Sequence, residues 1–253
     1  MLIYVIELLL LIHLALTKIK AFDHSLSSIK SNSIGLNRLE DVLYVDNDII
    51  AYNKPPNLLS VPGLYDKDSL ASRAVKTFGL DRADKIIVHR LDYHTSGVII
   101  FAKNEFSLKR INEQFRSKNS MVYKKYKAVV KGLPSSLHGE INLPLGRDEV
   151  KMPPYNKVDI NGSPSRTTWH VEAVKSNCTL LSLIPHTGRT HQLRIHMAAI
   201  GHPILGDYFY APKEVLDLSP DRLLLHSESL HLFHPRTNKH IGFYAPAIFS
   251  KDF

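Results

Sequence analysis

Short apolar runs separated by turn residues recur from Val42 almost to the C-terminus, and few stretches carry a helical period. Val42–Val45 and Ile49–Tyr52 read as strands around Asp46-Asn47-Asp48, a turn signal. Ile86–His89, Val98–Ala102, Tyr123–Val130, Thr167–Val174 and Leu180–Ile184 are strand-like too, with further strands from Leu223 and from Ile241. Asp68 or Ser69 is placed to cap a helix ending at Gly79, and Asn104 to cap one running to Arg116. Thr190–Ile200 has Leu193, Met197 and Ile200 on one helical face, with Gly201 just past its end. Strands do not alternate regularly with helices. The pattern therefore predicts an α+β fold with a mixed, mainly antiparallel sheet and a few flanking helices. The Pro/Asn/Gly-rich run from Gly146 to Pro164 predicts a long loop between two halves.

Residues 1–38 differ from the rest. Leu2–Leu16 is apolar except for Glu7 and His13, too short for a comfortable membrane span and closer to a signal-peptide core. Residues 17–38 are rich in Ser, Lys and Asn, with Asp23 as the only acid, like an organelle transit peptide. The Ala21-Phe22 junction resembles the processing site of leaders into complex algal plastids. The expectation is a leader or disordered tail over 1–38, a compact folded domain over 39–250, and a mature protein outside the membrane. A plastid address follows from the leader reading, and a cytoplasmic one from the tail reading.

Composition narrows the chemistry. The single cysteine, Cys178, excludes an internal disulfide and a Cys-based zinc or iron–sulfur site. Lys and Arg number 32 against 24 acids, a net charge of +8. From Lys103 to Lys131 there are nine Lys/Arg against Glu105 and Glu113, a stretch suited to phosphate backbones. Among the 14 histidines, His186, His191, His196 and His202 look like a metal cluster, which would suit a metal-dependent hydrolase. Yet His191 and His196 are five apart and diverge on a helix, and no His-Glu-x-x-His occurs. The more informative stretch is His89-Arg90-Leu91-Asp92-Tyr93-His94-Thr95-Ser96-Gly97, a loop between two apolar runs. From the residues alone, Asp92 suits a nucleophile, a metal ligand or a structural turn residue, and an Asp in a turn is usually structural.

This stretch resembles the HRLD-x-x-TSG motif of the RluA-type pseudouridine synthases, and the resemblance runs from about residue 41 to 247. Asn53-Lys54-Pro55-Pro56-Asn57-Leu58-Leu59-Ser60-Val61-Pro62-Gly63 is similar to the first family motif. Lys125–Gly132 is similar to the Tyr-x-Ala-x-Val-x-Gly segment, and Pro185–His196 to the third motif. Gly201–Asp207, Arg222–His226 and His234-Pro235 follow in order. Asn57 stands where the family usually has Gly, and Ser227 replaces a usual Ala. The N-terminal region does not match the family's S4 domain, so the chain is similar to the compact subtype.

The resemblance implies an isomerase that converts uridine to pseudouridine in RNA. It implies Asp92 as nucleophile, Arg194 as the cation paired with it, and Tyr126 as the ring that stacks on the base. It also implies substrate contacts by His89, Arg90, Thr95, Arg189, Thr190, His191 and Gln192, and the basic stretch adds Lys124 and Lys125. The target base must leave its helix to be reached. The carboxylate can attack the sugar, attack the base or stabilise a charged intermediate. No group is lost and nothing is oxidised, so no cofactor or metal is expected. The expected partner is RNA, large-subunit ribosomal RNA first and a tRNA anticodon stem-loop second, bound by a monomer. An RNA-binding protein without catalysis is the alternative, and the joint presence of Asp92, Tyr126 and Arg194 weighs against it.

Overall fold

A computed structural model describes residues 41–117, 121–149, 155–216 and 222–252, all within one compact unit, Glu40–Phe253. The expected leader at 1–38 lies outside the described residues. Among the described residues, no helix is long and apolar enough to cross a membrane.

Among the described residues, eleven strands carry the fold: β1 (Val42–Val45), β2 (Ile49–Lys54), β3 (Ser96–Ala102), β4 (Tyr123–Lys131), β5 (His138–Ile141), β6 (Leu145–Asp148), β7 (Tyr155–Val158), β8 (Thr167–Lys175), β9 (Cys178–Pro185), β10 (Leu225–Phe233) and β11 (His240–Tyr244). The helices are α1 (Leu70–Phe78), α2 (Glu105–Arg116), α3 (Gln192–Ala199) and the short α4 (Lys213–Leu216). Nine strands form one sheet in the order β1-β2-β3-β10-β4-β9-β8-β5, with β11 added to β10, and β6 and β7 form a separate hairpin. Among these strands only β3 and β10 run parallel; the other pairs described are antiparallel. The expected α+β fold with a mixed, mainly antiparallel sheet is therefore present.

Local chemistry sets the element ends. Asp46 Oδ1 accepts from the N–H groups of Asp48 (2.7 Å) and Ile49 (2.8 Å), which closes the β1–β2 turn. Ser69 and Ser72 form a capping box at the start of α1, and Gly79 ends it at φ 61°. Asn104 caps α2 through the Ser107 N–H at 2.9 Å. The strands β2 and β3 are apolar on both faces. Ile50, Tyr52, Ile99 and Phe101 pack towards α1, while Ile49, Ala51, Val98 and Ile100 pack towards Ile111 of α2. In the other half, Leu193 and Met197 of α3 lie on Ala128, Val130, Leu181 and Leu183.

Two expectations are corrected. Ile86–His89 is not a strand: Ala83–Lys85 is a 3-10 turn, and only Ile87 bridges to Phe101. The segment runs beside β3, but the Ile100 N–H donates to His89 Nε2 at 3.1 Å instead of to a carbonyl. The side chain thus replaces a ladder bond. Nor is Gly146–Pro164 one long loop, because the β6–β7 hairpin occupies much of it. Leu145 is buried, and the Leu145 backbone lies where a Gly162 side chain would go.

The parallel contact between β3 and β10 depends on Gly97. Its φ is 107°, and an added Cβ would meet the Ser227 carbonyl oxygen at 2.2 Å. Backbone cannot yield as a flexible side chain can. Gly97→Ala should destabilise by about 3 kcal/mol or more. At this size that lowers the midpoint by about 6–12 °C in a thermal melt. A melt within a degree of wild type would show that the strands can part without cost.

Candidate active site

Asp92 lies on the loop before β3, and the β2–α1 loop grips the residues on either side of it. Ser60 Oγ accepts from the Leu91 N–H (3.0 Å) and donates to the Leu91 carbonyl (2.7 Å). Lys54 Nζ donates to the carbonyls of Pro55 (3.0 Å), Leu58 (2.8 Å) and Tyr93 (3.2 Å). Asn57 Oδ1 lies 2.8 Å from His94 Nδ1, and its φ of 59° is a left-handed conformation that Asn tolerates. Lys54 is wholly buried. Burial pulls its pKa down to about 7, although the Asp92 charge works in the opposite direction. These bonds fix the backbone around the carboxylate.

The cation facing Asp92 comes from α3. Arg194 is 2% exposed, and its guanidinium forks onto Asp207, Nε to Oδ2 at 2.8 Å and Nη2 to Oδ1 at 2.6 Å. Its remaining Nη1 lies 3.6 Å from Asp92 Oδ2. Arg194 does pair with Asp92, but its principal partner is Asp207, whose role the sequence reading missed. Asp207 holds the guanidinium flat and charged despite burial, and Phe209 and Tyr210 flank it at 4.9 and 5.2 Å. On the other side, His191 Nε2 is 3.8 Å from Asp92 Oδ1, while its Nδ1 meets Tyr210 Oη at 2.8 Å. Desolvation lowers the His191 pKa, so the ring is neutral near pH 7.

Asp92, Tyr126, His191 and Arg194 line one cleft of ≈ 1210 Å³. Burial, chiefly, pushes the Tyr126 phenol up to about 12, so it stays protonated. Arg90, Arg116, Lys124 and Arg189 also line the cleft, and among the described residues Asp92 is the only acid that does. A single carboxylate beside a buried guanidinium, within a basic wall, suits nucleophilic or charge-stabilising chemistry on a polyanion.

Thr95 also lines the cleft. Four other expected contacts are placed differently. His89 borders the cleft but accepts the Ile100 N–H and stacks on Phe115 at 5.0 Å, a packing role. Gln192 is buried and fully used: Oε1 accepts from Thr187 Oγ1 and the Arg189 N–H, and Nε2 donates to the Arg166 carbonyl and Thr167 Oγ1. It shapes the loop before α3 and has no donor or acceptor left for RNA. Thr190 is exposed outside the cleft lining. Lys125 points to the opposite face of β4, where it pairs with Glu228 at 3.1 Å and Glu172 at 3.7 Å. Lys127 joins the same two acids. The four histidines that suggested a metal cluster each have separate partners, such as Leu143 O for His196 and Lys131 O for His202.

The split along β4 gives a test. Lys124→Met should reduce the salt slope of RNA binding by roughly 1, and Lys125→Met should leave it unchanged while lowering stability. Equal slopes for the two variants would refute the assignment of Lys124 to the RNA side.

Residues 48–199 match the family described as RNA pseudouridylate synthase. The chain belongs to this family. Among curated proteins it is 42% identical over 212 residues to the dual-specificity RNA pseudouridine synthase RluA of Pasteurella multocida (strain Pm70), covering 83% of this chain and 94% of that protein. It is 43% identical over 211 residues to the protein of the same name from Escherichia coli O6:H1 (strain CFT073), covering 82% and 93%. Among solved structures it is similar to human RNA Pseudouridylate Synthase Domain Containing 1, with a TM-score of 0.69, 25% identity, and 84% and 86% of the two chains covered. The pseudouridine synthase assignment makes the chain an RNA-modifying isomerase, in agreement with the sequence reading.

Proposed function

We propose that this pseudouridine synthase acts on large-subunit ribosomal RNA, with a tRNA anticodon stem-loop as a second substrate, and uses Asp92 as its nucleophile. The observation that carries the catalytic part is the position of Asp92, the one acid among the described residues that line a basic cleft, 3.6 Å from the buried Arg194 guanidinium. The dual-specificity names of the curated relatives support more than one RNA substrate.

In the reaction the N1–C1′ bond of uridine breaks and the base turns. C5 then bonds to C1′, C5 gives up its proton to solvent, and N1 takes one up. Asp92 attacks either the sugar or the base and is released unchanged. Arg194 sets a positive charge 3.6 Å from the Asp92 carboxylate, and Asp207 keeps Arg194 in place. Tyr126 offers an aromatic face to the extruded base. Arg90, Lys124 and Arg189, which line the cleft, neutralise phosphates. Every step is redox-neutral and can run on side chains alone.

Incubating the purified chain with each RNA as an unmodified transcript, then mapping pseudouridine at nucleotide resolution, tests the substrate assignment. Modification of the ribosomal transcript is expected. Modification of the tRNA stem-loop alone would overturn the preference.

A further inference from the structure

Next to Asp92, the loop carries two rings that the mechanism does not use. Tyr93 is 42% exposed, and His94 meets it edge to face at 4.8 Å. Across from them, Tyr208 is 57% and Phe209 36% exposed, with centroids 6.4 and 6.2 Å from His94. Four rings thus form a continuous patch at the surface. Phe209 connects it to the active centre, because its ring lies 4.9 Å from the Arg194 guanidinium carbon.

The patch is held in place. Asn57 ties His94 at 2.8 Å, Lys54 ties the Tyr93 carbonyl at 3.2 Å, and Tyr155 braces Phe209 edge-on at 4.9 Å. Desolvation, with a contribution from Arg194, keeps the His94 pKa below its ordinary value, so the patch is uncharged near pH 7. Fixed, neutral rings with polar tips in water suit an aromatic ligand with polar edges. Extruding a uridine strips a stacking partner from each neighbouring base. Such a base is left beside Asp92 with a bare face, and aromatic side chains receive bare bases without regard to sequence.

We propose that Tyr93, His94, Tyr208 and Phe209 form a stacking shelf for an unpaired base that flanks the target uridine in the RNA. The proposal rests on RNA entering the Asp92 cleft as substrate. It adds a second base-binding surface outside that cleft, built from the two unspecified positions of the HRLD-x-x-TSG loop and the residues after Asp207.

The test compares wild type, Tyr208→Ala, Tyr93→Ala, Tyr208→Phe and the distant control Tyr244→Ala on the ribosomal and anticodon stem-loop transcripts. Affinity is read by fluorescence anisotropy and turnover by tritium release from 5-tritiated uridine. Tyr208→Ala should raise Kd roughly 5- to 150-fold, the range for losing one base-stacking ring, and should raise KM by a similar factor. Tyr208→Phe should bind within about two-fold of wild type, because stacking uses the ring and not the hydroxyl. Tyr244→Ala should bind like wild type. An abasic nucleotide at one position flanking the target should abolish the Tyr208→Ala penalty. Wild-type affinity in both alanine variants, or a Tyr208→Phe loss equal to that of Tyr208→Ala, would overturn the shelf. Absence of wild-type turnover would instead count against the proposed substrates, and the anisotropy comparison would still decide the shelf.

Discussion

Asp92→Asn should lower turnover by at least roughly 10⁴-fold, the scale of removing an essential catalytic group, while leaving RNA affinity nearly intact. The change keeps the side-chain shape but removes the charge and nearly all nucleophilicity. The loop should hold its position, since Ser60, Lys54 and Asn57 grip residues 91, 93 and 94 and do not touch the Asp92 carboxylate. Affinity should persist because the cations lining the cleft remain. Asp92→Glu should fail too, since about 1 Å of misplacement can cost roughly 10²-fold. A gel shift and circular dichroism separate lost chemistry from lost binding or folding. Turnover of Asp92→Asn within ten-fold of wild type would remove the carboxylate from the mechanism.

Arg194→Ala should cost both stability and turnover. Asp207 is fully buried and forked by Arg194, and Asp92 faces the same guanidinium. Removing the cation strands a buried carboxylate, which costs about 3–5 kcal/mol. The double variant Arg194→Met/Asp207→Leu should recover much of that stability, because both charges leave together. It should not recover turnover, since Asp92 still lacks its cation. Denaturant midpoints and nucleoside analysis of treated RNA read the two effects separately. A double variant that regained activity would show that the Arg194 charge is dispensable to Asp92.

Much of this architecture is written locally in the chain. Asp46 with its turn, Ser69 with Gly79, and Asn104 before α2 act within a few residues of themselves, so sequence reveals them. The grouping of Asp92, Arg194 and Tyr126 in one cleft was expected from the motif match, which carries long-range information that propensity lacks. The misses are long-range. Asp207 meets Arg194 only after β9 and α3 have folded back, and nothing near Asp207 announces that partner. His89 resembles a strand residue until its ring replaces a carbonyl beside β3. Gln192 looks like an RNA contact, yet it ties its own loop together. One miss was avoidable: strand period alone puts Lys124 and Lys125 on opposite faces of β4.

The most direct measurement is tritium release from a ribosomal RNA transcript labelled with 5-tritiated uridine, treated with the purified chain in the presence of a chelator. Joining C5 to the sugar frees the label, so release counts the isomerisation itself. The account predicts release up to one equivalent per target uridine by wild type and none by Asp92→Asn. No release by wild type, or release that appears only when a divalent metal is restored, would contradict it.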